Sequence, residues 1–270
     1  MEKALNGGIP SELSIDVVSV HATLRSFIQD QFKNIGAQNA ILGLSGGIDS
    51  ALVGFLTADA IGSDRLRTYI MPYRTSAPSS REDALAVAKA LGCSVEEVPV
   101  TAGVDAVEAS LPTGVPITPI QRGNIAARMR MITLYHESAR HNGIVMGTGN
   151  KSEGAIGYTT LHGDAACAIN PIGDLYKSQV RALAAHLGVP DAVLTKAPSA
   201  DLWPGQTDES EGGFDYPTLD RILYRLVDLG ASHAEVVADG FDPELVARIQ
   251  RMIAASQFKR EMPPFPKIKR

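Results

Sequence analysis

The sequence predicts an α/β fold: a doubly wound parallel sheet flanked by helices, with a helical C-terminal extension. Three observations predict it. Apolar runs of strand length alternate with amphipathic runs of helix length between residues 14 and 150. Glycines follow helical runs at Gly62, Gly92 and Gly188, where a left-handed C′ residue ends a helix. The chain has 270 residues, 44% hydrophobic and 20% charged, and so can bury a large core without disulfide or metal staples.

The elements follow in order. Residues 14–34 have helical spacing of Ile15, Val18, Val20, Leu24, Phe27, Ile28 and Phe32. A first strand is expected over 39–44 and a helix over 48–61, closed by Gly62. A second strand, 66–71, stops at Pro72. A helix over 79–91 takes Ser79 or Ser80 as its N-cap and ends at Gly92. A third strand covers 94–100. A Gly/Pro-rich loop, 111–119, leads to a basic helix over 121–140, and a fourth strand, 144–146, runs into Gly147-Thr148-Gly149-Asn150. Beyond 150 the pattern changes. Segment 151–173 is rich in glycine and small residues, and a helix over 174–187 follows it. Segment 197–217 mixes acids, glycines and prolines around Trp203-Pro204-Gly205-Gln206 and reads as a mobile loop. Helices over 218–229, 232–238 and 243–256 precede an extended tail. The expected organisation is one domain, 1–270, with a core at 14–196, the loop at 197–217 and C-terminal helices and tail at 218–270.

Charge and cysteine usage narrow the function. Thirty acids against 25 Lys and Arg leave a net charge of −5, so no broad basic surface for nucleic acid is expected. Cys93 and Cys167 read as thiols in a reducing compartment. The first residues, Met1-Glu2-Lys3-Ala4, carry no signal-peptide core, and no stretch approaches the roughly 20 apolar residues of a membrane span. A cytoplasmic protein is expected. His136, His141 and His186 lie on helical runs without metal-ligand spacing.

The most informative stretch is Gly43-Leu44-Ser45-Gly46-Gly47-Ile48-Asp49-Ser50, which joins the first strand to its helix. Glycines let main-chain N–H groups approach an anion, and the helix N-terminus favours negative charge, so this is a candidate phosphate cradle. It has no Lys-Ser/Thr closure of a Walker loop and no G-x-G-x-x-G spacing. Read blandly, it is a glycine-rich turn with a capping serine.

Ser45-Gly46-Gly47-Ile48-Asp49-Ser50 resembles the pyrophosphate loop of the ATP pyrophosphatases. Later segments resemble one group of them, the ammonia-dependent NAD synthetases. They are Gly123-Asn124-Ile125-Ala126-Ala127-Arg128-Met129-Arg130-Met131, Gly147-Thr148 with Glu153, Tyr158 through Asp164, Asn170-Pro171-Ile172-Gly173-Asp174-Leu175-Tyr176-Lys177, Lys196-Ala197-Pro198-Ser199-Ala200-Asp201-Leu202, Asp208-Glu209, and Lys259-Arg260. The resemblance spans 15–265. It implies a Rossmann-like doubly wound sheet and a two-step ligase reaction. ATP adenylates the nicotinate carboxylate of deamido-NAD and releases pyrophosphate; ammonia then displaces AMP.

Site roles follow from the resemblance. The loop 43–50, Thr148, Lys177 and Ser199 would bind ATP. Asp49 and Glu153 would hold Mg²⁺, whose hard character calls for oxygen ligands. Arg128, Asp164 and Lys259 would contact deamido-NAD. Lys177 would stabilise phosphate charge, Ser45 would hold pyrophosphate, and Asp164 would accept the proton of ammonia. The resemblance also implies a homodimer, with helix 118–140 at or near its interface. No N-terminal region of glutaminase size is present, and Cys93 and Cys167 lack a nucleophile's context. Free ammonia is therefore the expected nitrogen donor, with a separate glutaminase kept open as its supplier. Three positions depart from the pattern: Leu161 for an expected Lys, Ala168 for an Asp, and Phe258 for a His. All fall where the family contacts deamido-NAD. Two alternatives stay open: an adenylating amide ligase for another carboxylate, and a non-catalytic nucleotide-binding protein.

Overall fold

A computed structural model describes residues 9–112, 116–199 and 208–268. Its centre is a parallel sheet of four strands in the order β3-β2-β1-β4. The strands are β1 (Asn39–Gly43), β2 (Leu66–Ile70), β3 (Ser94–Glu97) and β4 (Gly143–Val145). Their register sets Ala40 against both Leu66 and Ile144, and Thr68 against Val95. One further parallel bridge, Met146 to Ile169, extends the sheet beside β4.

Helices cover both faces. Those before and between the strands are α1 (Val17–Ile35), α2 (Ile48–Ile61), α3 (Pro78–Leu91), α4 (Thr101–Ser110) and α5 (Pro119–Arg140). Those after β4 are α6 (Lys151–Ile156), α7 (Lys177–His186), α8 (Asp191–Leu194), α9 (Asp208–Gly212), α10 (Tyr216–Leu223), α11 (His233–Ala238) and α12 (Pro243–Ser256). Alternate residues of β1 point to opposite faces. Ala40 and Leu42 join a core with Leu52, Leu56, Val87, Val180 and Leu183, from α2, α3 and α7. Ile41 joins Tyr69, Val104 and Ala126 on the other face, under α4 and α5. A separate core gathers Ile156, Tyr216, Leu219, Ile222, Val236, Val246 and Ile249 from the C-terminal helices. Helix α7 touches two of these cores: Val180 and Leu183 face the sheet, while Tyr176, just before it, packs among the C-terminal helices.

The doubly wound sheet matches the expectation, and several element ends differ. Helix α3 begins at Pro78 with Ala77 as N-cap, so neither Ser79 nor Ser80 caps it. Proline at the first helical position has the right φ and no N–H to satisfy. The third strand stops at Glu97 rather than 100, ahead of Pro99. The bonds from Val98 N to Ile70 O and from Val100 N to Pro72 O continue the edge. Helices α4, α6 and α8 were not expected. Helix α7 starts at Lys177 rather than 174, after a turn closed by Leu175 N donating to Ile172 O. The expected helix 218–229 begins earlier, at Tyr216, capped by Asp215, and ends at Leu223 in a wider π turn over Tyr224–Asp228. Residues 200–207 of the expected mobile loop lie outside the described residues, and residues 208–212 form α9.

Candidate active site

The strand order places the site. From β1 the chain moves outward to β2 and β3, then returns to lay β4 on the other side of β1. Adjacent strands that feed connections in opposite directions leave a crevice at their C-terminal ends, where ligands bind in such sheets. The loops after β1 and β4 line this crevice.

The loop after β1 is built on glycine for a definite reason. Gly46 has φ +78°, and a Cβ there would lie 2.2 Å from the Ser80 carbonyl oxygen. Only glycine fits both the backbone conformation and the space. The loop's hydroxyls hold its own backbone. Ser45 Oγ accepts from Gly47 N (3.2 Å), and Ser50 Oγ accepts from Ser45 N (3.2 Å) and donates to Gly47 O (3.0 Å). Gly47 is the N-cap of α2 and offers no side-chain acceptor. The first turn of this 14-residue helix therefore presents its N–H groups to an anion. Gly43 and Leu44 lead into the loop and Ile48 opens the helix, with Leu44 and Ile48 buried beneath it.

The loop after β4 supplies the opposite wall. Asn150 caps α6 and forms a capping box with Glu153. Its side-chain amide donates to Asp49 Oδ1 (2.8 Å), tying the two loops together. Lys177, the first residue of α7, is buried, and its ammonium reaches Asp49 Oδ2 (2.5 Å) and Glu153 Oε1 (2.9 Å). The same nitrogen lies 5.2 Å from the centre of the Tyr216 ring, on its face. Asp208 stands nearby, accepting from the Tyr216 hydroxyl (3.0 Å), and its N–H donates to Pro198 O (3.0 Å), next to Ser199.

These charges shift one another. Burial raises the Glu153 carboxyl, Asp49 and Asp208 raise it further, and Lys177 only partly offsets them, leaving it pushed up to about 7. Burial alone would lower the Lys177 ammonium, but Asp49 and Glu153 outweigh it and the net shift is upward. Burial also raises Asp208, against the pull of Lys177 and the tyrosine hydroxyls. The crevice thus concentrates carboxylates around one ammonium, a surplus of negative charge suited to a further cation.

A cleft of about 380 Å³ opens from Glu153 and Asn150 past Thr159 and Asp164 to Lys259 and Cys167. Asp164 accepts from Thr159 Oγ1 and Thr160 N (both 2.8 Å), bonds that fix the 159–164 turn. Lys259 donates to Gly157 O (2.8 Å) and Thr159 O (2.7 Å), and burial lowers its ammonium against the opposing effect of Asp164. Arg128 on α5 donates to Leu161 O (3.1 Å). So the three residues expected to contact deamido-NAD converge on one turn. Of the three departures, Leu161 offers its carbonyl to Arg128, Ala168 uses its N–H on Val145 O, and Phe258 is 60% exposed. Thr148 lies half-buried in the loop after β4.

Comparison with known proteins gives this geometry a family. The family model for NAD synthase matches residues 20–263. The chain belongs to the NAD synthase family. It is a ligase of that family and uses ATP as co-substrate. An NH3-dependent NAD(+) synthetase of Trichlorobacter lovleyi is 48% identical over 258 residues, covering 96% of this chain and 93% of the relative. Among solved structures, NMN synthetase from Francisella tularensis superposes with a TM-score of 0.84 at 32% identity, over 94% of this chain and all of that one. The NH3-dependent NAD synthetase of Campylobacter jejuni gives 0.79 at 33% identity, with the same coverage.

Three residues at this site, Asn150, Tyr216 and Asp220, escape a sequence reading that follows the family motifs, and Asp208 falls in a family segment without a role given to it. Asn150 carries a signal, the spacing of a capping box with Glu153. Asp208 is visible only as part of an Asp-Glu pair. Tyr216 and Asp220 look like ordinary positions of an amphipathic helix, and nothing local marks them.

Proposed function

We propose that this NAD synthase joins ammonia to the nicotinate carboxylate of deamido-NAD, driven by cleavage of ATP to AMP and pyrophosphate. One observation carries the reading. The buried Lys177 ammonium lies between Asp49 and Glu153, at the meeting point of the two crevice loops and beside the uncapped N-terminus of α2. In the first step a carboxylate oxygen of the acceptor attacks the α-phosphorus, the bond to the bridging oxygen breaks, and pyrophosphate leaves. Charge builds on the departing phosphates, where Lys177, the Ser45 hydroxyl and the N–H groups of the α2 first turn meet it. In the second step ammonia attacks the acyl carbon, AMP leaves, and a proton passes to a base. Asp164 faces the same cleft as Glu153 and takes that role, with Arg128 and Lys259 holding the turn on which it sits.

Among the described residues no three His, Cys, Asp or Glu are grouped to hold a metal by themselves, so Mg²⁺ would need phosphate oxygens beside the protein's carboxylates. Asp49 and Glu153 point hard oxygens at the Lys177 ammonium, and Asp208 nearby keeps a buried Oδ1 without a partner among the described residues. Asp49 and Glu153 would hold the ion together with phosphate oxygens, and when bound it neutralises charge on the triphosphate. Thr148 and Ser199 would complete the ATP contacts.

A homodimer extends the reading. Helix α5 leaves Ile132 more than half exposed, with the exposed Tyr135 one turn further on, an apolar patch on a helix that also carries Arg128. A second copy would cover it and complete the acceptor site. Ile132→Asp is expected to convert dimer to monomer in sedimentation; an unchanged dimer removes α5 from the interface. Action in the cytoplasm, on free ammonia or on ammonia from a separate glutaminase, fits two unpaired thiols. No described helix is long and apolar enough to cross a membrane.

A second acceptor merits direct comparison: the deamido form of NMN, which lacks the AMP half. Similarity to an NMN synthetase and the departures at Leu161, Ala168 and Phe258 favour it. Rates with the two acceptors, at equal ATP and ammonium, decide. The proposal expects a higher kcat/KM for deamido-NAD; a preference for the mononucleotide replaces it.

A further inference from the structure

Helix α10 carries one charged residue into the interior. Leu219, Ile222 and Leu223 pack among the C-terminal helices, and Asp220 among them is fully buried. An ionised carboxylate removed from water persists only where its lone pairs are filled. Here they are. Asp220 Oδ1 accepts from Ser152 Oγ (2.5 Å), and Oδ2 accepts from both the N–H (2.8 Å) and the hydroxyl (2.7 Å) of Ser178. Ser152 Oγ in turn accepts from Lys177 N (2.9 Å).

The sequence positions of these partners give the network its meaning. Ser152 precedes Glu153 on α6, and Ser178 follows Lys177 at the start of α7. One carboxylate therefore holds the first turns of two helices, each of which delivers one partner of the Lys177–Glu153 pair. Negative charge at the N-terminus of α7 is also favourable to that helix. If packing were its only task, an apolar residue of similar size would serve as well, because buried charges rarely add net stability.

We propose that Asp220 is a positioning residue: it sets the spacing of α6 and α7, and through it the place of the Lys177 ammonium against the phosphates. The inference rests on the role given to Lys177 above. It is tested with Asp220→Asn and Ser178→Ala, measured beside Lys177→Ala for kcat, KM for ATP and thermal melting. Asparagine keeps the size but removes the charge and sets a donor NH2 in place of one of the two acceptor oxygens, against Ser152 or Ser178. A misplacement of the order of 1 Å can cost about a hundredfold in rate. Asp220→Asn is accordingly expected to lose about that much kcat, and Ser178→Ala roughly tenfold, with KM for ATP changed less than about threefold and cooperative melting retained. The double variant should be no slower than Asp220→Asn alone, because both act through one network. If Asp220→Asn does not fold, Ser178→Ala alone decides. Folded variants with wild-type kcat, or a rise confined to KM, overturn the proposal. A Lys177→Ala enzyme with wild-type kcat instead overturns the reading of Lys177 itself, so the two failures are distinguishable.

Discussion

The Lys177 charge is shared between two carboxylates, and the same charge is what departing pyrophosphate requires. Lys177→Ala should lower kcat by about a hundredfold or more, the usual scale for a lost transition-state contact. An effect confined to KM for ammonia would contradict that role. Asp49→Asn keeps an acceptor for the Asn150 amide but loses the charge that faces the buried Lys177, so Mg²⁺-dependent turnover should disappear while melting stays cooperative at a lowered temperature. Wild-type turnover in that variant would remove Asp49 as the ion's ligand. Gly46→Ala places a methyl against the Ser80 carbonyl in a left-handed backbone, and strain of about 1–3 kcal/mol is expected there. A melt with wild-type stability and ATP binding would refute the steric account. At this scale the sequence was most legible where chemistry dictates residue type. Ser45, Asp49, Glu153 and Lys177 are all visible as motif positions, and Asp49, Glu153 and Lys177 meet at one point. Asp220 was not legible, because a buried acid on an amphipathic helix is indistinguishable in sequence from an exposed one.

Helices and strands were read well where their ends carry chemistry. The bounds of α2 follow from the loop before it and Gly62 after it, which has φ +91°. A helix start governed by proline was read less well, as at Pro78, which takes the first helical position because an N–H needs no partner there. Helix α4 was missed because Gly103 interrupts an otherwise ordinary helical pattern; there the Met129 side chain of α5 packs against it. The brace between α5 and β2 gives a prediction at this scale. Tyr69 donates to Glu137 Oε2 (2.9 Å) in the interior. Burial raises the Glu137 carboxyl, but the Tyr69 bond and the nearby Arg140, His141 and His136 outweigh it, and the net shift is below the ordinary 4.5. A carboxylate lowered in the folded state adds stability that is present above its unfolded pKa and is lost as pH falls through the folded value. Glu137→Gln should therefore lower stability at pH 7 and flatten the loss of stability below about pH 4.5. An acid melting curve that keeps the wild-type slope would assign that slope to other groups.

The molecule as a whole is a sheet core joined to a smaller helical core, with the site at the seam. Helix α7 belongs to both, and its first residue is the cation on which the site closes. The strand order explains the crevice, and the C-terminal helices explain why Lys177 is buried in it, through Tyr216 and Asp220. Alternation of strand and helix made the first half legible. In the second half the helices over 232–238 and 243–256 were legible to within a residue from their apolar spacing, whereas the glycine-rich stretch 151–173, which holds α6, carried no periodic pattern to read. The central claim is that this architecture couples ATP cleavage to amidation of a nicotinate carboxylate. The direct test supplies ATP, Mg²⁺ and ammonium with and without deamido-NAD, and quantifies pyrophosphate and NAD together. The account predicts that both products form in equal amounts and only when deamido-NAD is present. Pyrophosphate released without it, or no stimulation by it, would contradict the claim.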